Sequence, residues 1–151
     1  MATRSLTRII PRQDGLSFAE GHEKGELAWV NMYRHHDGSP YWHGVDLAEF
    51  LKDFKIINGI GYSAELGKHA NGEGCLAAQM VAHFKNSVGD VYLYPTNNEG
   101  AGDEDYIYTI YPKGGEPCFI SIYDTRNKRC IFVGTALELI EKYKGNTNTD
   151  G

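Results

Sequence analysis

Between residues 91 and 133 hydrophobic side chains recur at a period of two, in runs that begin with Val91-Tyr92-Leu93-Tyr94 and Asp105-Tyr106-Ile107-Tyr108-Thr109-Ile110-Tyr111 and continue over 117–124 and 128–133. β-Branched and aromatic residues fill these runs, and Gly, Asn and Lys separate them, which is the pattern of short strands joined by tight turns. The spacing predicts four successive strands in an antiparallel meander. Tyr106 and Tyr108 would share one face of their strand and Tyr111 the other, so at least one face is expected to be exposed or to cover a ligand. Two earlier runs, SLTRIIP at 5–11 and LAWVNMY at 27–33, read as further strands.

Elsewhere the period lengthens. Over 44–55, Leu47, Ala48, Leu51 and Phe54 fall on one helical face opposite Glu49, Lys52 and Asp53. Over 75–87, Leu76, Met80, Val81 and Phe84 form a second apolar stripe, with Gln79, His83 and Lys85 around it. A Gly- and Asn-containing stretch at 58–74 is expected to be the loop between the two helices. A third helix, 136–143, is announced by the capping box Thr135-x-x-Glu138 and closed near Gly145. The order β-β-α-α-β-β-β-β-α predicts a single α+β domain over 1–145, its helices on one face of a mostly antiparallel sheet, followed by a disordered tail at 146–151. The length, 151 residues, suits one hydrophobic core rather than two.

A net charge of −5 argues against a coat for duplex nucleic acid, which needs a surplus of cations. No run approaches the roughly 18–20 apolar residues that cross a bilayer, and the first fifteen residues lack the apolar centre of a secretory signal, so a cytoplasmic protein without a membrane partner is expected. Cys75, Cys118 and Cys130 are odd in number and have no CxxC spacing, which points to reduced thiols rather than a disulfide framework or a zinc site.

The densest polar constellation is Tyr33-Arg34-His35-His36-Asp37-Gly38-Ser39-Pro40-Tyr41-Trp42-His43-Gly44. Placed after a strand and before a helix, it would present a guanidinium, imidazoles and free helix N–H groups to a phosphate or carboxylate, with Tyr41 and Trp42 stacking on a base or sugar. The candidate ligand-binding residues are therefore Tyr33, Arg34, His35, His36, Asp37, Tyr41, Trp42 and His43. The plain alternative is a solvated turn in which Arg34 pairs with Asp37 and the two aromatic rings cover the helix. His35, His36, Asp37 and His43 also suggest metal ligands, but adjacent imidazoles on extended backbone point to opposite sides, so neither a metal nor another cofactor is expected.

The stretch YRHHDGSPYWHGVDLAEFL resembles a YRHxDGYP-type motif, followed by Gly and an amphipathic helix, in small uncharacterised bacterial and bacteriophage proteins. The likeness covers mainly 33–51, with weaker echoes in NGEGCLAAQMVAHFK and VYLYP, and Ser39 stands where that motif has Tyr. The resemblance implies a shared domain and a bacterial or phage source, but no activity.

Sharper motifs fail on context. His36-Asp37 lacks the long helical domain of His-Asp phosphohydrolases, and Gly59-Ile60-Gly61-Tyr62-Ser63-Ala64 lacks the preceding strand and later acidic residue of a dinucleotide site. There is no nucleophile elbow and no phosphate-binding P-loop. Cys75 with His83 or His69 would make a nucleophile pair only at close range, and two helical turns separate 75 from 83. The acidic loop at 97–105 does not match a calcium loop and reads as a mobile turn able to close over a site.

Three functions fit these residues. The first is a small-ligand binding protein, in a phage setting an anti-defence protein that sequesters a nucleotide-derived host immune signal. The second is a small hydrolase or lyase acting on a phosphorylated substrate, with His35 or His43 as acid or base and Arg34 stabilising negative charge. The third is a protein that blocks a basic host protein through its surplus carboxylates. Exposed Tyr and Trp further suggest a homo-oligomer.

Overall fold

The computed structural model describes residues 2–12, 28–61, 63–96 and 102–145. The expected tail at 146–151, Leu27 at the head of the second run and residues 97–101 of the acidic loop lie outside them. Among the described residues the chain runs β1 (Ser5–Ile9), β2 (Asn31–Arg34), a π-helical turn (Pro40–Gly44), α1 (Val45–Leu51), β3 (Lys55–Ile57), β4 (His69–Asn71), α2 (Gly72–Phe84), β5 (Val91–Leu93), β6 (Tyr106–Tyr111), β7 (Phe119–Asp124), β8 (Arg129–Thr135) and α3 (Ala136–Tyr143). The α+β class is as the periodicities predict.

The main sheet has the order β5-β2-β1-β6-β7-β8, antiparallel throughout except for the central β1–β6 pair. β6, β7 and β8 form the expected meander, with a bulge between Ile122 and Tyr123. The first run of the four does not join it. β5 crosses to the opposite edge, where Val91, Tyr92 and Leu93 pair with Arg34, Tyr33 and Met32. The Lys85 ammonium fixes this path by donating to the carbonyls of Gly89 and Val91 at 2.9 and 2.7 Å. The stretch 58–74 is not all loop either: β4 lies within it and pairs in parallel with β3 in a separate two-stranded ribbon. These three-residue strands are too short to leave a period in the sequence.

β1 is flanked on both sides, and all five of its residues are buried. Register places Ser5, Thr7 and Ile9 on one face beside Tyr106, Tyr108 and Ile110. The core forms there, from Met32, Ile110, Ile120 and Ile122 of the sheet, Leu47, Ala48 and Leu51 of α1, Leu76, Met80 and Phe84 of α2, and Leu139 and Tyr143 of α3. The opposite face is buried as well: Tyr111 packs with Ile10 and Ala28. The tyrosines of β6 therefore leave no open face for a ligand, contrary to the sequence expectation, because both sides of the strand carry their own cluster.

α3 starts where the capping box predicts, with the Glu138 N–H donating to Thr135 Oγ1 at 3.3 Å and the Thr135 N–H to Glu138 Oε1 at 2.9 Å. The described end of the acidic loop is tied down rather than free to close. Arg4 donates its N–H to Asp105 Oδ2 at 3.0 Å and brings its guanidinium 3.4 Å from Asp103. Thr135→Ala removes one half of the α3 box, and we expect a loss of about 1 kcal/mol, read in thermal unfolding as a fall in Tm of about 2–4 °C.

Candidate functional site

Strand alternation separates the first two residues of the polar constellation. Arg34, beside Ser5 and Val91, faces the helices, whereas Tyr33, beside Tyr92, faces the other way. The chain then turns sharply. Asp37 adopts a left-handed conformation (φ 56°), and Gly38 presses against β1 so closely that a Cβ there would lie 2.8 Å from the Thr3 carbonyl oxygen and 3.0 Å from Ser5 Cβ. Gly38 donates to the Thr3 carbonyl at 3.0 Å, and its own carbonyl accepts the Tyr108 hydroxyl at 2.6 Å. Pro40 opens the π-helical turn, whose wider winding directs His43 inward and Trp42 outward.

His43 is completely buried. Arg34 Nη1 lies 3.1 Å from His43 Nδ1, and a guanidinium can only donate, so Nδ1 must accept. The imidazole proton is therefore on Nε2, which donates to Thr7 Oγ1 at 2.8 Å. Phe84 and Tyr108 enclose the ring, with centroids 5.3 and 4.9 Å away. Burial, and secondarily the Arg34 charge, lower its pKa to about 3. His43 is thus a neutral positioning group that holds Arg34: both ring nitrogens are engaged within the protein and the ring is fully buried, so neither nitrogen faces a substrate. This removes it from the acid–base reading.

The other candidates do not converge on it. The Tyr33 hydroxyl lies 2.8 Å from His35 Nδ1 near the end of β2, and burial pushes the phenol up to about 12. His35 and His36 are not splayed apart as extended backbone would require: the strand ends at Arg34, and their rings meet edge to face at 4.7 Å. They share no third ligand with Asp37 or His43, and among the described residues no group of three His, Cys, Asp or Glu could hold a metal ion. Tyr41 packs edge to face against Tyr143 of α3 at 5.3 Å, Trp42 lies half exposed on the surface, and neither lines the cleft that Arg34 faces. Three of the anticipated N–H groups are already engaged. His43, Trp42 and Gly44 donate to Asp37 and Ser39 carbonyls, and the turn runs on into α1 without a free N-terminus.

What Arg34 does face is a cleft of about 290 Å³ between α1 and α2, lined also by Asp46, Glu49, Phe50, His83 and Asn86. Its partners there are loose: Asp46 Oδ2 at 3.5 Å and Asp90 Oδ2 at 3.8 Å, rather than the Asp37 of the solvated-turn alternative. Glu49 is neutralised by Lys144 at 2.7 Å and Lys52 at 3.0 Å, and the hydrogen bonds from these ammonium groups lower its pKa. Phe50 and His83 are tilted by 32° to each other, with centroids 4.7 Å apart, and both also line an adjoining apolar cleft of about 530 Å³ that includes Leu66 and Ala82. Sequence reasoning missed Asp46, Glu49, Phe50, His83 and Asn86. Of these, Glu49 was read only as part of the polar face of the first helix, and His83 only as a residue around the second apolar stripe and as a base for Cys75.

Gly38→Ala forces backbone apart at the root of the turn, and we expect a cost of about 1–3 kcal/mol in urea unfolding. His43 adds a pH dependence whose sign is fixed. The unfolded imidazole, at the ordinary value of 6.5, binds a proton that the folded one refuses until about 3, so this contribution is complete above pH 6.5 and is lost as the pH falls toward 3. Wild type should lose stability in that window with a slope of up to about 1.4 kcal/mol per pH unit from this residue, and His43→Gln should flatten it.

The chain matches no family model, no curated protein and no solved structure.

Proposed function

We propose that the protein binds a small phosphorylated or nucleotide-like ligand in the cleft between α1 and α2, and holds it without turnover. The observation that carries this reading is Arg34: a largely buried guanidinium, fixed from behind by neutral His43, with its outer side toward a cleft that continues into an apolar chamber. Ion pairs as long as those to Asp46 and Asp90 contribute little, and Asp46 is exposed enough to swing away. A phosphate oxygen at 2.7–2.9 Å would form a shorter, stronger charge-assisted bond than either carboxylate does. Phe50 and His83 then offer their rings to a base. A phage that needs only to withdraw a nucleotide signal from its host would be served by such a binder.

The test is mass spectrometry of compounds released by heat from the purified protein after incubation with bacterial extract. Wild type and Trp42→Ala should retain the same phosphorylated compound, unaltered, and Arg34→Gln and Phe50→Ala should reduce retention by about tenfold or more. Equal retention by all four proteins, no retained compound, or a chemically altered product would overturn the proposal.

A further inference from the structure

Three carboxylates accompany Arg34: Asp46 and Asp90, at 3.5 and 3.8 Å from the guanidinium, and Glu49 further along the cleft. A pocket for a bare anion gains nothing from them, since each repels the charge that Arg34 attracts. Two of the three are withdrawn from the cleft's chemistry. Glu49 is held by Lys52 and Lys144 at 3.0 and 2.7 Å. Asp90 keeps its Oδ1 shut off from solvent and does not line the cleft. Asp46 is different. Its side chain is 57% exposed and lines the cleft, and among the described residues its one charged partner is Arg34, at a distance too long for a strong hydrogen bond.

We infer that Asp46 accepts the ribose hydroxyls of the ligand, so that the cleft selects a ribonucleotide over the matching deoxyribonucleotide; this rests on the proposed binding of a phosphorylated ligand at Arg34. An ionised carboxylate can only accept hydrogen bonds, so whatever meets Asp46 must donate. Once a phosphate takes the outer side of Arg34, Asp46 loses its cation but stays beside it, a few ångströms from the phosphorus. Ribose carries its vicinal ring hydroxyls at a similar separation from its exocyclic phosphate. Two neighbouring O–H groups match the two oxygens of one carboxylate, and each such bond is charge-assisted. A ligand ammonium would also donate, but it would stand next to the Arg34 guanidinium as a like charge. The hydroxyls donate without adding charge. The base is then carried onward to Phe50 and His83, which line both this cleft and the apolar chamber. Asp46 is thus a specificity residue, and its carboxylate guards Arg34 only until the ligand arrives.

The experiment is titration calorimetry of the full chain with adenosine, guanosine, cytidine and uridine monophosphates, their deoxy counterparts and inorganic phosphate. Wild type, Asp46→Ala and Arg34→Gln are compared, each checked for unchanged circular dichroism. Wild type should bind its preferred ribonucleotide about tenfold more tightly than the deoxy counterpart, the loss expected for one hydrogen bond to a charged group. Asp46→Ala should erase that preference and, with no carboxylate competing for Arg34, should bind inorganic phosphate more tightly than wild type. Damage to the fold would weaken both. Equal affinity for ribo and deoxy forms in wild type, with binding weakened by Arg34→Gln, would overturn this inference and leave the phosphate site standing. A ribose preference that survives Asp46→Ala, or weaker phosphate binding in that variant, would do the same. Binding of no nucleotide, or binding indifferent to Arg34→Gln, would overturn the cleft proposal and this inference together.

Discussion

The buried imidazole of His43 ties three parts of the molecule together. Its Nε2 proton goes to Thr7 on the central strand, its Nδ1 lone pair receives Arg34 from the neighbouring strand, and its backbone belongs to the turn that leads into α1. Both ring nitrogens are used, and each demands a partner of one kind only. A charged imidazolium would present a proton to the Arg34 guanidinium at 3.1 Å in a cavity closed by Phe84 and Tyr108. Neutrality of His43 and the fixed position of Arg34 are therefore one constraint. Everything that the cleft can do with an anion follows from a guanidinium whose inner side is already occupied.

Most of the fold could be read from periodicity. The meander of β6, β7 and β8, the α3 capping box and the burial of Leu47, Ala48, Leu51 and Phe54 all appear where the spacing places them. What failed was pairing. β5 looks like the first strand of the meander, yet it pairs with β2, because the turn after α2 is clamped by Lys85 and brings the chain down at that edge. β6 is then left to pair in parallel with β1, a contact across about a hundred residues that no local pattern announces. The parallel ribbon of β3 and β4 was hidden for a different reason: three residues each are too few to show alternation.

The site was less legible than the fold. Residue density singled out the segment 33–44, but proximity in sequence does not mean convergence in space. Alternation sent Tyr33 and Arg34 to opposite faces, and the π-helical turn buried His43 while turning Trp42 outward. Of the eight residues singled out, Arg34 alone lines the cleft beside Phe50 and His83. Those two come from different helices that meet only after the sheet has brought them together. A motif reading groups residues by position along the chain, and the cleft groups them by packing.

The most direct test of this arrangement is the protonation of His43 itself, observed by long-range ¹H–¹⁵N correlation NMR across a pH titration. The structure requires one neutral tautomer, protonated at Nε2, to persist from about pH 8 to about pH 4.5, well above the value near 3 at which the ring charges. An imidazolium that forms near the ordinary value of 6.5, or a proton found on Nδ1, would contradict the account and release Arg34 from the position on which the cleft depends.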